Sequence, residues 1–238
     1  NLYYNPLQKK LAQTLCSISG MDKVFFANSG AEANEAAIKL ARKYGHEKGI
    51  HTPTIIVMEN SFHGRTMATL SATGNRKAHA GFEPLLNGFV RVPFNDFAAI
   101  EKVASTNPNV VAILLEPVQG EGGLTIAEQE YMSSIRAICD QNDWLMMLDE
   151  VQTGNGRTGH YFAYEGYNVI PDVVTTAKGL GNGFPIGACL AKGKANNILT
   201  PGSHGSTFGG NPLGCAAALA TIHQILSQNL SKRAKILG

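Results

Sequence analysis

Short apolar runs alternate with longer amphipathic stretches along the chain, and this alternation constrains the fold more than any other feature of the sequence. The apolar runs predict strands at 23–27, 54–58, 89–92, 110–115, 144–148, 172–176 and 187–191. The amphipathic stretches predict helices at 6–17, 30–48, 96–105, 127–142 and 211–227. Strands that are apolar on both faces are typical of a mainly parallel sheet covered by helices on both sides, so the sequence predicts an α/β fold.

Polar residues follow four of the predicted strands. Asn28 and Ser29 come after the first strand, and Glu116, Asp149 and Lys178 come after three others. In open α/β sheets, ligands bind beyond the carboxyl ends of the strands. The sequence therefore predicts that these residues share one ligand site.

The predicted helix that begins at Gly30 has two interpretations at its start. Ser29 followed by Glu32 fits a capping box, which is a purely structural device. The first N–H groups of a helix also bind phosphate, and the small residues Gly30 and Ala31 would let an anion approach. A cap uses only some of the available donors, so both interpretations stay open.

Asp149 and Lys178 each follow a buried run, at 145–148 and 173–177. Asp149 can simply cap a turn, and most lysines lie on the surface. Lys178, however, stands between an apolar strand and the glycine-rich segment 179–183, so we expect its side chain to be partly desolvated. A desolvated lysine is a nucleophile toward carbonyl carbons, and it is the cationic partner that a functional Asp149 would need.

Two loops carry further candidate side chains. In the loop 61–66, Phe62 can stack on a ring and Arg65 can clamp a carboxylate, although Phe62 and His63 can equally serve packing alone. The loop 116–123 adds a second carboxylate, Glu121, which taken alone also fits an ordinary surface loop.

The segment 154–159 matches G-x-G-x-x-G by letter, but a dinucleotide site is not predicted. That motif should open a helix directly after its strand, whereas the segment 160–166 is short and aromatic. The sequence contains no P-loop and no G-x-S-x-G motif, and its histidines lack zinc-type partner spacing. No metal site is predicted.

Composition narrows the class of protein further. Twenty basic and eighteen acidic residues give a net charge of +2, which predicts neither nucleic-acid nor membrane binding. The longest aliphatic run, at 110–115, is too short to span a bilayer. The widely spaced cysteines, without a C-x-x-C pair, are typical of reduced thiols and predict a cytoplasmic protein. They are Cys16, Cys139, Cys189 and Cys215.

An anion seat, a ring-stacking aromatic, a strand-end aspartate and a core-derived lysine together describe a pyridoxal 5'-phosphate site. At this point the sequence resembles the class-III pyridoxal-phosphate-dependent aminotransferases. The resemblance implies the large cofactor domain of a fold-type-I enzyme. The segments that carry it, in the family's order, are 28–34, 61–66, 116–123, 148–154, 176–181 and 205–212.

The resemblance implies a role for each matching residue. Lys178 would bind the cofactor aldehyde and then shuttle the proton, and Asp149 would pair with the pyridine nitrogen. The other cofactor-binding residues implied are Ser29, Gly30 and Ala31 at the phosphate, Phe62 and Val151 on the ring faces, His63 nearby, Gln152 at the phenolic oxygen and Thr207 at the phosphate of a neighbouring subunit. The substrate-binding residues implied are Arg65 at the α-carboxylate, Ser206 beside the substrate and Glu121 as a gate that pairs with an arginine in one half-reaction.

The implied activity moves the terminal amino group of N2-acetylornithine to 2-oxoglutarate, giving N-acetylglutamate 5-semialdehyde and glutamate in arginine biosynthesis. Succinylornithine, ornithine or 4-aminobutyrate are alternative donors, and a truncated, inactive cofactor-binding homologue is a further alternative. Arg65 favours a donor whose α-carboxylate lies far from the reacting amine. The resemblance also implies a homodimer with shared sites, a segment 1–20 leading into a cofactor domain at 21–238, and a small C-terminal domain, holding the gate arginine, that is absent here.

Overall fold

The computed structural model describes residues 3–238, and its centre is a seven-stranded sheet with the strand order β1-β9-β8-β7-β4-β2-β3. The strands β8, β7, β4, β2 and β3 are parallel, whereas β9 runs antiparallel to both β1 and β8. The strand bounds are β1 Lys23–Ala27, β2 Thr54–Met58, β3 Phe89–Val92, β4 Val110–Leu115, β7 Leu145–Asp149, β8 Val173–Thr176 and β9 Gly187–Ala191. A small hairpin pairs β5 Val118–Gln119 with β6 Thr125–Ile126.

Helices cover both faces of the sheet, which confirms the predicted fold class. Alternate residues of each strand enter two different cores: Ile113 packs with residues of α1, α5, α6 and α7, whereas Leu114 packs with residues of α2 and α3. The helix bounds are α1 Pro6–Ser19, α2 Gly30–Glu47, α3 Met67–Ala72, α4 Arg76–His79, α5 Phe97–Thr106, α6 Gln129–Gln141, α7 Pro212–Ser227 and α8 Leu230–Leu237.

Capping residues fix where the helices begin. The Asn5 side chain accepts a hydrogen bond from the Leu7 N–H at 3.0 Å, and Pro6 follows at the first helical position, where its missing N–H costs nothing. Asn211 and Pro212 repeat this arrangement at the start of α7, with the Asn211 side chain accepting from Gly214. The predicted helices at 6–17 and 211–227 therefore begin within one residue of their observed starts.

The predicted strand bounds at 144–148 and 172–176 are each displaced by one residue at their start. Asp172 precedes β8 because its carboxylate accepts a hydrogen bond from the Met146 N–H at 2.8 Å and pairs with Arg136 at 2.9 Å. Asp149 is the last residue of β7 and not the residue after it. The displacement leaves the strand directions unchanged, so the carboxyl ends of β1, β2, β4, β7 and β8 still meet at one edge of the sheet.

None of the helices formed by residues 3–238 combines the length and the apolar character that crossing a bilayer requires.

Candidate active site

A cavity of about 650 Å³ opens at the edge of the sheet where the parallel strands end. Its walls come from the segments that follow β1, β2, β4, β7 and β8. Thirteen of the residues predicted from the sequence line it: Asn28, Ser29, Gly30, Ala31, Phe62, His63, Arg65, Glu116, Glu121, Asp149, Val151, Gln152 and Lys178. We call it the active-site cavity.

Asp149 is buried, and hydrogen bonds hold both of its carboxylate oxygens. Its Oδ2 accepts from Asn34 Nδ2 at 2.7 Å and lies 2.8 Å from His63 Nδ1, while its Oδ1 accepts from the Val151 N–H at 3.0 Å. The Thr175 hydroxyl donates to Asn34 Oδ1 at 2.7 Å, which fixes the orientation of that amide. Oδ1 therefore has one of these partners and Oδ2 has two, so Oδ1 is the oxygen better able to accept a further hydrogen bond from a ligand in the cavity.

Charge coupling links His63 and Glu116 behind this carboxylate. Burial lowers the pKa of His63, but the hydrogen bond and negative charge of Asp149 outweigh burial and leave that pKa above its ordinary value. Burial raises the pKa of Glu116 to about 7, although the charge of His63 works in the opposite direction. Within residues 3–238, His63 Nε2 is buried without a hydrogen-bond partner. This cluster can hold a proton behind Asp149 at neutral pH.

Lys178 begins a short 3₁₀ turn, Lys178–Leu180, directly after β8. Its φ of 41° is in the left-handed region, which costs a residue with a Cβ about 1 kcal/mol or more and is found at functional sites. The Lys178 amine donates a hydrogen bond to Gln152 Oε1. The expected partial burial of Lys178 is wrong, because its side chain reaches across the open cavity and is exposed.

The start of α2 forms half of the predicted capping box. Ser29 Oγ accepts from the Glu32 N–H at 3.2 Å, but the Glu32 carboxylate accepts from the N–H of Asn28, at 3.0 Å, and not from that of Ser29. The first N–H groups of a helix have no acceptor within it. A Cβ on Gly30 would lie 2.7 Å from Val151 Cγ1, so this approach requires glycine. The free N–H groups at the start of α2 and the small Gly30 together form a seat for an anion.

Hydrogen bonds join the two loops that frame the cavity. The Phe62 N–H donates to Glu116 Oε2 at 3.0 Å, and Gln119 Nε2 donates to the Glu59 carbonyl at 2.8 Å. The Arg65 guanidinium lies over the Phe62 ring, with its carbon 5.7 Å from the ring centroid. The ring, the guanidinium and the loop that carries Glu121 are therefore held as one unit.

Two predicted residues, Ser206 and Thr207, do not line the cavity. Ser206 Oγ accepts from Asn28 Nδ2 at 3.1 Å, which places Ser206 beside the anion seat. Thr207 is exposed on the surface of the chain. Thr207 is predicted to reach the phosphate of a neighbouring subunit, so its absence from this cavity leaves that role a prediction.

Sequence reasoning missed Asn34 and Arg157, both of which line the cavity. A signal for Asn34 was available: it is a polar residue in the apolar stripe of α2, where only hydrogen bonding justifies an amide. Arg157 belongs to the segment 154–159, which was set aside once its dinucleotide interpretation failed.

The donor set fits the pyridoxal 5'-phosphate predicted from the sequence. The seat at Gly30 suits a phosphate, Asp149 offers an anionic oxygen for a protonated ring nitrogen, and Lys178 offers an amine for an aldehyde. Phe62 and Val151 supply apolar surface for the ring. Within residues 3–238, no group of three or more histidine, cysteine or acidic side chains could hold a metal ion.

Comparison with known proteins agrees with this fit. The chain superimposes on the ornithine aminotransferase of Toxoplasma gondii with a TM-score of 0.95 and 35% identity, over 99% of this chain and 57% of that one. It superimposes on the acetylornithine aminotransferase of Elizabethkingia anophelis with a TM-score of 0.85 and 39% identity, over 99% and 56%. The fold is that of the aminotransferases.

A family profile identifies the class of aminotransferase. The profile of the Aminotransferase class-III family matches residues 1–238, and the chain belongs to that family. Its cofactor is pyridoxal 5'-phosphate, so the cofactor predicted from the sequence is confirmed. The acetylornithine aminotransferase of Nitrosomonas europaea is 62% identical over the whole chain, and that of Oceanobacillus iheyensis is 52% identical over 236 residues. The chain spans 61% and 59% of the lengths of these two relatives.

Proposed function

We propose that the protein transfers the terminal amino group of N2-acetylornithine to 2-oxoglutarate, giving N-acetylglutamate 5-semialdehyde and glutamate. Relatives that carry the name acetylornithine aminotransferase match this chain at 51 to 62% identity, which supports this donor over its alternatives. The observation that carries the proposal is that Lys178 and the multiply hydrogen-bonded Asp149 face one cavity.

The role proposed for Asp149 is to stay ionised beside the pyridine nitrogen. Asn34 and His63 both bind Oδ2, so Oδ1 is the oxygen we assign to that nitrogen. When bound, the cofactor supplies an electron sink for the pair of electrons left on the substrate carbon. A buried anion that accepts several hydrogen bonds keeps the opposing nitrogen protonated.

Lys178 is the proposed proton carrier. Its amine extends over the cavity, and the hydrogen bond to Gln152 sets where that amine lies before the cofactor binds. Once it is released from the cofactor, the same amine can take the proton from the substrate carbon and deliver it to the carbon of the cofactor's aldehyde group. Positioning of this kind contributes because the reacting groups are already aligned.

Arg65 is proposed to bind the α-carboxylate of the donor. Its guanidinium is exposed on the cavity wall and is steadied by the Phe62 ring. A clamp there suits a donor whose carboxylate is distant from the reacting amine. Glu121 is assigned to the gate and Ser206 to the rim of the substrate path, since Glu121 lines the cavity and Ser206 lies beside its anion seat.

Reductive labelling tests cofactor attachment. The purified protein should absorb visible light, and borohydride should fix the cofactor on the peptide that contains Lys178. Lys178→Ala should bind the cofactor weakly and lose turnover, whereas the matched control Lys77→Ala, at an exposed lysine outside the cavity, should behave like the native protein. A colourless protein that ignores added pyridoxal 5'-phosphate would contradict the proposal.

Half-reactions with single donors test the substrate. N2-acetylornithine should convert the cofactor's absorption faster than succinylornithine, ornithine or 4-aminobutyrate do. Arg65→Gln should raise the KM for N2-acetylornithine more than that for 1,4-diaminobutane, because the diamine has no carboxylate for Arg65 to bind. Equal rates with all four donors would refute the substrate assignment and leave the transaminase assignment standing.

The assembly and location are part of the same proposal. Thr207, Phe208 and Leu213 are exposed, and Phe208 and Leu213 are 70% and 65% accessible, which supports a homodimer in which Thr207 reaches the partner's phosphate seat. Sedimentation should give twice the mass of one chain, and Phe208→Asp should halve it.

The four cysteines are free thiols, which supports a cytoplasmic enzyme. Fractionation of cells should recover the protein in the cytoplasm.

The domain organisation is also proposed. Residues 21–238 form the cofactor domain, and the segment 1–20 leads into it. Leu11 and Leu15 on α1 are fully buried in the same core as β4, which supports a lead-in segment that is joined to the domain. Leu15→Ala should therefore lower the stability of the whole domain, by about 3 kcal/mol, in a single unfolding transition.

A further inference from the structure

Asn155 lies next to the turn that carries Lys178 and does not itself line the active-site cavity. Its side-chain amide donates to Thr176 Oγ1 at 2.9 Å and to the Ala177 carbonyl at 3.3 Å. Asn155 is 8% exposed, and Thr176 is fully buried. The two acceptors belong to the residues that immediately precede Lys178, so a buried amide is fixed to the start of the lysine turn.

The same side chain packs against the residue that follows Lys178. A Cβ on Gly179 would lie 3.2 Å from Asn155 Cβ, so the turn approaches Asn155 more closely than a larger residue would easily allow. The Leu180 N–H donates to the Ala177 carbonyl at 2.8 Å, which closes the turn on the oxygen that Asn155 also binds. Asn155 therefore contacts the chain on both sides of Lys178.

Tyr161 fixes the orientation of the Asn155 amide. The buried Tyr161 hydroxyl donates to Asn155 Oδ1 at 3.2 Å, and the Gly156 N–H donates to the Tyr161 carbonyl at 3.2 Å, which closes the loop between them. The amide thus donates through its nitrogen and accepts through its oxygen, which a carboxylate of the same shape cannot do. The φ of Asn155 is 59°, in the left-handed region that asparagine tolerates better than most side chains.

We propose that Asn155 is a positioning residue, which holds the lysine turn in the conformation that presents the Lys178 amine to the cofactor aldehyde. This inference rests on the proposed function. The φ of 41° at Lys178 is unfavourable for a residue with a Cβ and persists only where neighbouring groups hold it. The Ala177 carbonyl belongs to the peptide group that joins Ala177 to Lys178. A hydrogen bond to this carbonyl therefore opposes the rotation that would relax the φ of Lys178.

Two forms of the cofactor test this without any turnover. Pyridoxal 5'-phosphate has an aldehyde to which the Lys178 amine can bond, whereas pyridoxamine 5'-phosphate has an amine in its place and binds only without a covalent bond. In titrations of the full chain freed of cofactor, the native protein should bind the aldehyde form more tightly. Lys178→Ala should remove this preference, which gives the reference value for a site without attachment.

Two variants of Asn155 should reduce the preference for the aldehyde form. Asn155→Asp keeps the shape but replaces the donating N–H group with an oxygen, and Asn155→Gly removes the side chain without adding charge. Each should lower the affinity for pyridoxal 5'-phosphate relative to that for pyridoxamine 5'-phosphate by about fivefold or more, since attachment must then restore a strained turn. Asn168→Gly is the matched control, because Asn168 also has a left-handed φ, of 53°, but is exposed outside the cavity. It should keep the native ratio.

Several results would overturn the inference. If both affinities fall together in the Asn155 variants, at the native ratio, the residue is merely structural. A change confined to Asn155→Asp would be an effect of its charge, and an equal change in Asn168→Gly would be an effect of the loops in general. Should both Asn155 variants fail to fold, Tyr161→Phe carries the test, because it frees the Asn155 amide to turn and should lower the ratio in the same direction.

Borohydride labelling separates this inference from the proposed function. A native protein that does not prefer the aldehyde form refutes the inference, because no alignment of the amine then favours attachment. If borohydride also fixes no cofactor on the peptide that contains Lys178, the proposed function fails with it. A native protein that shows the preference and is labelled at Lys178, but whose Asn155 variants keep the native ratio, refutes only the role of Asn155.

Discussion

Replacing Asn34 by alanine tests whether the buried network behind Asp149 is as important as its geometry indicates. The Asn34 amide donates to Asp149 Oδ2 at 2.7 Å and to the His63 carbonyl at 2.9 Å, and its oxygen accepts from the Thr175 hydroxyl at 2.7 Å. A hydrogen bond to a charged group contributes about 1.5–3 kcal/mol and a neutral one about 0.5–1.5 kcal/mol. Asn34→Ala should therefore lower the free energy of unfolding by about 4 kcal/mol.

A double-mutant cycle shows whether that loss comes from the network. Thr175→Val removes the hydroxyl and leaves Asn34 Oδ1 unpaired, which should cost about 1–3 kcal/mol. The double variant should cost less than the two single changes together, by about 1 kcal/mol, because the unpaired hydroxyl disappears with its partner. Urea midpoints of all four proteins supply the comparison.

Asn87→Ala is the matched control for this cycle. Asn87 is exposed and lies far along the chain from the network, so its replacement should change the free energy of unfolding by less than about 0.5 kcal/mol. Strict additivity of the Asn34 and Thr175 changes, or a cost for Asn34→Ala no larger than that of the control, would refute the reasoning.

Three further predictions concern the anion seat, the lysine turn and a buried acid. Gly30→Ala should weaken cofactor binding at least tenfold in an absorbance titration, because its Cβ would lie 2.7 Å from Val151 Cγ1; unchanged affinity would argue against the seat. Lys178→Gly should be more stable to urea than Lys178→Ala by about 1 kcal/mol, since φ is 41° there, and the reverse order would show an unstrained turn. Burial raises the pKa of Glu150 to about 7, so between pH 4.5 and 7 the native state binds more protons than the unfolded state, and stability falls as pH rises, by up to about 3 kcal/mol. Glu150→Gln should flatten this fall in urea midpoints measured from pH 5 to 8, and an unchanged slope would disprove the assignment.

The fold could be predicted because the strands are apolar on both faces. Val110–Leu115 and the first four residues of Leu145–Asp149 lie in the middle of the sheet and are apolar because both of their faces are buried. The elements that were not predicted lack such a pattern. α3 and α4 have only six and four residues, which is too short for a helical pattern to show. α8 is separated from α7 by the left-handed conformation of Asn229, at a φ of 50°, and the residues around Asn229 do not predict that break.

The site could be predicted where a functional residue ends a strand, and not where it depends on packing between distant segments. Asp149 and Lys178 are conspicuous because each follows a buried run. The sequence marks Asn34 only as a polar residue in an apolar stripe. Its partners are 115 and 141 residues away, so they could be identified only once α2 was placed against β7 and β8. The burial of Lys178 was wrong for the same reason: the strand before it is buried, but the lysine side chain leaves the core and crosses the cavity.

The cavity has a buried wall and an exposed wall, and substitutions in the two walls should have different effects on stability and on the rates with each substrate. The inner wall, formed by Asn34, His63, Glu116 and Asp149, is buried, so removing a hydrogen-bond partner there should lower the stability of the fold. The outer wall, formed by Arg65, Glu121, Arg157 and Lys178, is exposed, so its side chains can be exchanged at little cost to stability. The inner wall would hold the Asp149 carboxylate in place for the chemistry, whereas Arg65 on the outer wall would determine which substrate carboxylates bind. Substitutions of Arg65 should therefore redistribute rates among substrates at nearly constant stability, and those of Asn34 should lower stability and all rates together.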